Sequence, residues 1–209
     1  MRGSCGLPGL YEIALAEVSD VPRLPAIELA AARLLAGHAP ESVLQETTSD
    51  EELRDAQRQG HLWVARADGV AVGFAHVVLL EPAAAHLEEI DVHPAHGRRG
   101  LGTRLVEAVC GWAGAAGYGS VTLTTFRDVP WNMPFYARLG FEVIAPDDLT
   151  PALHAVLQDE ARRGLDPARR VAMRRPGGPA KTGPSYDPTA GFSRPARSAP
   201  RRTCSARRR

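Results

Sequence analysis

The chain has 209 residues, 44% of them hydrophobic, and a formal net charge of +1. That is apolar material for one ordinary domain with extensions, and it supplies no global field for nucleic acid or an anionic membrane. Cys5, Cys110 and Cys204 are far apart and form no CxxC pair, which argues against a disulfide framework and for a reducing compartment.

No apolar run reaches the roughly 20 residues of a membrane span. The opening MRGSCGLPGL has no signal-peptide core, so a soluble cytoplasmic protein is expected. Residues 1–10 read as a loose lead-in, and residues 11–18 alternate well enough for a first strand. Ser19 or Asp20 can cap a helix with Pro22 in its first turn, where the missing N–H costs nothing. Pro25 fits less well, so regular helix is expected from about Ala26, with apolar spacing over 27–35 and an end at Gly37. Residues 38–49 read as a polar loop, and Ser49 or Asp50 caps a second short helix over 50–59. From His61 the period changes. HLWVARADGVAVGFAHVVLL holds two apolar runs joined by Asp68-Gly69, a hairpin signal, with Trp63 and Phe74 expected in the core. Residues 81–85 interrupt the second run.

The stretch HLEEIDVHPAHGRRGLGTRLVEAVCGWAGAA, residues 86–116, organises the rest. Leu87, Ile90 and Val92 give strand character, and Pro94 ends it. Alternation would put Glu89 and Asp91 on one face with Leu87, and Glu88 on the other with Ile90 and Val92. Leu101, Leu105, Val109, Trp112 and Ala116 then recur at helical spacing. Between strand and helix sits Gly97-Arg98-Arg99-Gly100-Leu101-Gly102. The first amides of a helix have no internal partner and lie at the positive end of its dipole. Flanked by two arginines, they suit a pyrophosphate, with a plain tight turn as the competing reading. The spelling excludes both a nucleoside-triphosphate P-loop and GxGxxG. His86, His93 and His96 lie close in sequence, but His93 and His96 straddle Pro94 and no HExxH is present, so no metal is expected. Gly117 and Gly119 end the helix, and SVTLTTF over 120–126 is a strand. Strand, helix, strand implies a right-handed crossover and a locally parallel pair, with the ligand at the carboxyl end of the first strand.

Next, DVPWNMPFYARLGFEVI reads as a short helix carrying Phe135 and Tyr136, closed by Gly140 as a C-cap before a strand at Phe141. Trp131 and the flanking prolines shorten that helix. A further helix follows Thr150-Pro151 with Leu153, Val156, Leu157 and Ala161 on one side. Gly164 stops it, and residues 169–175 read as a last strand. From Pro176 the composition turns to Pro, Gly, Ser, Thr and Arg. Such a segment buries too little apolar surface to offset ordering, so 176–209 is expected to be a disordered basic tail.

Two stretches together resemble the GNAT superfamily of N-acetyltransferases. Val92-His93-Pro94 and Gly100-Leu101-Gly102 match its Val-x-Pro strand end and the Q/R-x-x-G-x-G/A loop. Phe135-Tyr136 and Leu139-Gly140-Phe141 match its closing motif. Gly97 stands where the family usually has Gln or Arg, and Val129 where it often has Asn. The resemblance covers about residues 11–145 and implies a GNAT-like domain over 11–175. Its fold class would be α/β (α+β), a mixed, largely antiparallel twisted sheet flanked by helices, with a locally parallel pair splayed around acetyl-CoA. It implies acetyl transfer from acetyl-CoA to a primary amine of a small molecule or protein. By resemblance, Ile90, Val92, Gly97, Arg98, Arg99, Gly100, Leu101, Gly102 and Thr103 hold the cofactor. Tyr136 takes the general-acid position and Glu89 the general-base position. Glu88, Asp91 or a water relay are alternative bases, and carboxylates that merely attract a cation are the simpler reading. A non-catalytic acyl-CoA-binding regulatory module is the alternative function. No membrane partner is expected, nucleic acid is disfavoured, and a homodimer is left open.

Every residue given a chemical role lies at or before Tyr136, and the Arg-rich tail has no apolar pattern with which to dock. Deleting residues 176–209 should therefore leave the melting temperature and its rise with acetyl-CoA unchanged, as read from paired thermal melts.

Overall fold

The structure, a computed structural model, describes residues 11–80 and 84–177. Strand β1 (Tyr11–Leu15) leads through a 3-10 turn at Val21–Arg23 into helix α1 (Leu24–Ala32). Asp20 does not cap it. Its carboxylate accepts from the Glu17 N–H at 2.8 Å and from Arg66 instead. The helix starts two residues earlier than expected because Pro25 falls within its first turn, where a proline is harmless. A short helix, α2 (Glu41–Leu44), interrupts what reads as a loop. Helix α3 (Asp50–Gln59) opens on the expected Ser49, which forms a reciprocal capping box with Glu52.

Strands β2 (Leu62–Ala67) and β3 (Val70–Leu80) form the expected hairpin. Asp68 and Gly69 both have positive φ, at 50° and 79°, the backbone twist that a two-residue turn needs to match its strands. The remaining elements are β4 (Ala84–Val92), α4 (Leu101–Ala115), β5 (Ser120–Phe126), α5 (Met133–Arg138), β6 (Glu142–Val143), α6 (Pro151–Arg162) and β7 (Arg170–Pro176).

One mixed sheet holds all seven strands in the order β1-β2-β3-β4-β5-β7-β6, antiparallel except for the parallel pair β4–β5. This is the expected fold class. On one face α4 buries Leu101, Leu105, Val106 and Val109 against Trp63, Ala75, Val77 and Leu87. On the other, α1 and α3 bury Leu24, Ile27, Leu53 and Ala56 against Leu62, Val64 and Phe74. Val129, in the position where the family often has Asn, is fully buried with Phe126 and Leu165. Among the described residues, no helix is long and apolar enough to cross a membrane.

The lead-in over 1–10 and the tail from 178 onward lie outside the described residues. Strand β7 runs to Pro176, and the Gly177 N–H donates to Gly119 O at 2.8 Å. A deletion that spares the last rung of the sheet therefore begins at residue 178.

Helix α6 is tied to the sheet by a buried ion pair. Glu160 receives Arg170 Nε at 2.9 Å and Nη2 at 2.6 Å, and the Thr124 hydroxyl also donates to it. The two charged side chains are only 10% and 9% exposed. Removing one member strands the other without water, so Glu160→Ala should destabilise the protein by about 3–5 kcal/mol, read as a lower urea midpoint at unchanged m-value.

Candidate active site

The site begins where β4 and β5 separate. Their parallel pairing is confined to Ala84–Ser120, Ala85–Val121 and His86–Thr122. Past His86, β4 stays on β3 as far as Val92, while β5 continues along β7. The backbone of residues 87–92, including Ile90 and Val92, therefore faces a wedge rather than a neighbouring strand.

At the same point β4 is bulged. His76 pairs with Glu89 and Val77 with Leu87, so Glu88 has no partner of its own on β3. The extra residue shifts the alternation by one. Leu87 faces the α4-side core, and so do Ile90 and Val92. Glu89 and Asp91 turn to the opposite side, where they line a cleft under α1. Glu88 lies on that side too, with an oxygen 3.7 Å from His86 Nε2. This corrects the uninterrupted alternation, which grouped Glu89 and Asp91 with Leu87 and set Glu88 apart with Ile90 and Val92. All three carboxylates share one side of the sheet. Gly73 supports the arrangement from β3, because a Cβ there would lie 2.8 Å from Asp91 O.

The cleft has a volume of about 130 Å³. One wall is apolar, from Ala31, Ala32, Leu35, Val43 and Leu44, and the other carries Glu28, Glu89 and Asp91. Glu28, the lone acidic residue in the apolar helix LPAIELAAA, accepts the Thr48 N–H at 3.0 Å with each of its oxygens. At the edge, Arg163 from the end of α6 donates through Nε to Glu46 at 2.7 Å. Its charge also reaches Glu28 and Glu88, where it opposes the rise that burial causes. Burial, then the charges of Glu28 and Glu88, push the Glu89 carboxyl from 4.5 up to about 7. Asp91 is raised well above the ordinary range by burial and then by Glu89. Of these residues only Glu89, Asp91 and Glu88 had a signal in sequence. Glu28, Glu46 and Arg163 reach the cleft from three separate elements, a juxtaposition that only the fold makes visible.

Tyr136 approaches from α5, with its ring packed between Phe135 and Phe141 at centroid distances of 5.0 and 5.9 Å. Burial raises its hydroxyl pKa, and the charges of Glu89 and Asp91 raise it further. The phenol is therefore a standing proton donor at neutral pH within the field of the two carboxylates. Asn132 sits at the start of α5 but makes no capping bond. His86 is a core residue, bonded to Thr122 Oγ1 at 2.9 Å and held neutral because burial lowers its pKa to about 4.

The opposite flank of the wedge is the loop before α4. Arg98 and Gly100 both have positive φ, at 56° and 75°, so successive amides turn into one concavity. Among the described residues, the N–H groups of Arg98, Arg99, Gly100, Leu101, Gly102 and Thr103 donate to no protein acceptor; the ladder of α4 begins with Arg104 N–H on Gly100 O at 3.0 Å. The Gly97 amide differs, since it is spent on Pro94 O at 3.1 Å. Tyr11 anchors the loop. Its carbonyl accepts from Arg104 at 3.0 Å, its hydroxyl meets His96 Nδ1 at 3.1 Å, and Arg99 lies over its ring. His93 turns inward to accept the Ala95 N–H at 3.3 Å.

Residues 29–141 match the family model described as the acetyltransferase (GNAT) family. A mycothiol acetyltransferase of Salinispora arenicola is 43% identical over 58 residues, a stretch that makes up 27% of this chain and 19% of that protein. Among solved structures, the PaiA N-acetyltransferase of Thermoplasma acidophilum in complex with coenzyme A superposes with a TM-score of 0.63 at 18% identity. The match covers 80% of this chain and 99% of that one. N-acetylglutamate synthase from Neisseria gonorrhoeae, complexed with coenzyme A and N-acetyl-glutamate, gives 0.61 at 18% identity, over 81% of this chain and 35% of that one. At these identities the superpositions establish the shared fold.

The raised Glu89 has a consequence for stability. Folded, it keeps its proton to about pH 7; unfolded, it releases it near 4.5. Between those values the folded state binds more protons, so stability falls as pH rises through the window. Glu89→Gln removes that fall. At pH 8 the variant should be more stable than the parent by on the order of 1–3 kcal/mol, and near pH 4 the two should coincide in urea unfolding.

Proposed function

Because the chain belongs to the acetyltransferase (GNAT) family, we propose that it moves the acetyl group of acetyl-CoA onto the primary amine of a small molecule. The observation that carries this reading is the bulge at Glu88, which turns Glu89 and Asp91 into an acidic cleft, with Tyr136 within reach of their charge. Amide formation from an ammonium and a thioester yields N-acetyl amine, CoA thiol and one proton. It therefore needs a base for the ammonium and an acid for the thiolate.

In this reading the free amides from Arg98 to Thr103 hold the pyrophosphate at the start of α4, with Arg98 and Arg99 adding positive charge. Gly97 contributes the turn rather than a hydrogen bond. The exposed β4 edge at Ile90 and Val92 lines the pantetheine arm, and one of its amides polarises the thioester carbonyl as charge develops on oxygen. Glu89 takes the ammonium proton. Near neutral pH its raised pKa balances being ionised against holding the proton it accepts. Tyr136 gives a proton to the departing thiolate. Glu89 passes that first proton to solvent, which is the one proton released overall. Attack joins nitrogen to the acetyl carbon, collapse breaks the carbon–sulfur bond, and the second proton lost from nitrogen replaces the one Tyr136 gave to the thiolate.

The lining of the cleft narrows the acceptor. An acidic wall opposite an aliphatic one suits a cationic amine on an alkyl body, and it repels a carboxylate beside the nitrogen. We place the reaction in the cytoplasm, in keeping with the unpaired thiol of Cys110.

Two variants separate binding from chemistry. Gly102→Glu sets a carboxylate among the phosphate-binding amides and should abolish acetyl-CoA binding by calorimetry in a folded protein. Tyr136→Phe keeps the ring, so binding should survive while turnover falls by about 10²-fold, followed by thiol release with a panel of alkylamines, amino acids and peptide N-termini. Tight acetyl-CoA binding without turnover of any amine would favour the regulatory module.

A further inference from the structure

Across the described residues, one buried side-chain polar atom has no hydrogen-bond partner, Nδ1 of His76. His76 is 7% exposed and lies on β3. A buried polar atom left unpaired costs free energy that a fold rarely tolerates without a reason. Its position supplies one. His76 is the register partner of Glu89, at the rung where β4 is bulged. Residues directly opposite in an antiparallel pair carry their side chains on the same face, with Cβ atoms roughly 5 Å apart. His76 also aligns with Phe74 and faces Leu62 across β2, which sets it in the core beneath α1 and α3.

We propose that His76 is the positioning residue for Glu89, donating its Nδ1–H to the Glu89 carboxylate through one bridging water. The inference rests on Glu89 being the base. An ionised carboxylate is acceptor-only, so a base-competent Glu89 requires the proton on Nδ1. Burial lowers the pKa of the ring and so keeps it neutral, leaving one nitrogen to donate. The titratable groups that act on the ring are Glu52 on α3 and His61 ahead of β2, while Glu28 on α1 and Glu88 and Asp91 on β4 surround Glu89. Glu52 already accepts two hydrogen bonds from Ser49, and Glu28 holds the Thr48 amide. Among the described residues, Glu89 receives no side-chain hydrogen bond from another element, and it stands directly opposite.

The donor stabilises the ionised form of Glu89, so its loss should make the base harder to ionise. His76→Phe keeps the ring volume and removes both nitrogens. It should move the acidic limb of the kcat/KM profile up by about one pH unit, with acetyl-CoA affinity and the high-pH plateau unchanged. His76→Asn returns an N–H at the Nδ1 position and should bring the limb back. Glu89→Gln identifies the limb, which must vanish in that variant. A limb that vanishes with Glu89→Gln but stays in place with His76→Phe would overturn the positioning role alone. A limb that survives Glu89→Gln would overturn the base assignment and the positioning role with it. Nitrogen NMR of the unmutated protein gives a second readout independent of folding in any variant. An Nδ1–H tautomer for His76 is expected, and an Nε2–H tautomer would overturn the proposal.

Discussion

Strand β4 carries one residue more than β3 between Leu87 and Glu89, and the side of the sheet that Glu89 and Asp91 take depends on that extra residue. Without the bulge, period-two alternation would send Glu89 and Asp91 into the same core as Leu87, beside Leu105 and Val109 of α4. With it, apolar residues before and after the bulge serve one core while the carboxylates emerge on the other face. The bulge also falls where β5 leaves β4, so a wedge and an acidic cleft open from the same stretch of strand. A local increase in twist is the usual companion of a bulge, and here it accompanies the parting of two strands.

The cleft is completed by parts that are remote in sequence. Helix α1 lends Glu28, the segment before α3 lends Glu46, and the end of α6 lends Arg163. Helix α6 can reach the cleft because the Glu160–Arg170 pair holds it to β7 and through Thr124 to β5. The electrostatic result is uneven. Arg163 pairs with Glu46, whereas Glu28 raises the proton affinity of Glu89 and Asp91, and Glu89 that of Asp91. Partly desolvated carboxylates of this kind gain from an arriving ammonium more than from water alone, which links the crowding of the acidic wall to the class of acceptor it suits.

Much of the scaffold was legible because its causes are local. Asp68-Gly69 specifies its turn through positive φ, Ser49 and Glu52 cap α3 within one turn, and the apolar period of α4 survives in its buried face. The loop before α4 was legible for the same reason, since the free amides follow from where a helix starts. The sidedness of Glu88, Glu89 and Asp91 was not. Alternation assumes no inserted residue, and the bulge is a property of β3 and β4 together. Asp20 was misread as a cap because its partner, Arg66, is supplied by β2. That the Gly97 N–H closes a turn onto Pro94 is likewise invisible in the sequence. His76 carries no motif at all; only its register opposite Glu89 and its unpaired nitrogen single it out.

The proposed mechanism requires the bulge to deliver Glu89, rather than its neighbour Glu88, to the reacting nitrogen. It is tested most directly by rapid-quench measurement of a single acetyl transfer with both substrates saturating, comparing Glu88→Gln and Glu89→Gln near pH 7. The expected result is a rate loss of about 10²–10⁴-fold for Glu89→Gln, recovering at high pH as the free amine becomes abundant, and little change for Glu88→Gln. A large loss in Glu88→Gln with near-normal transfer in Glu89→Gln would contradict it.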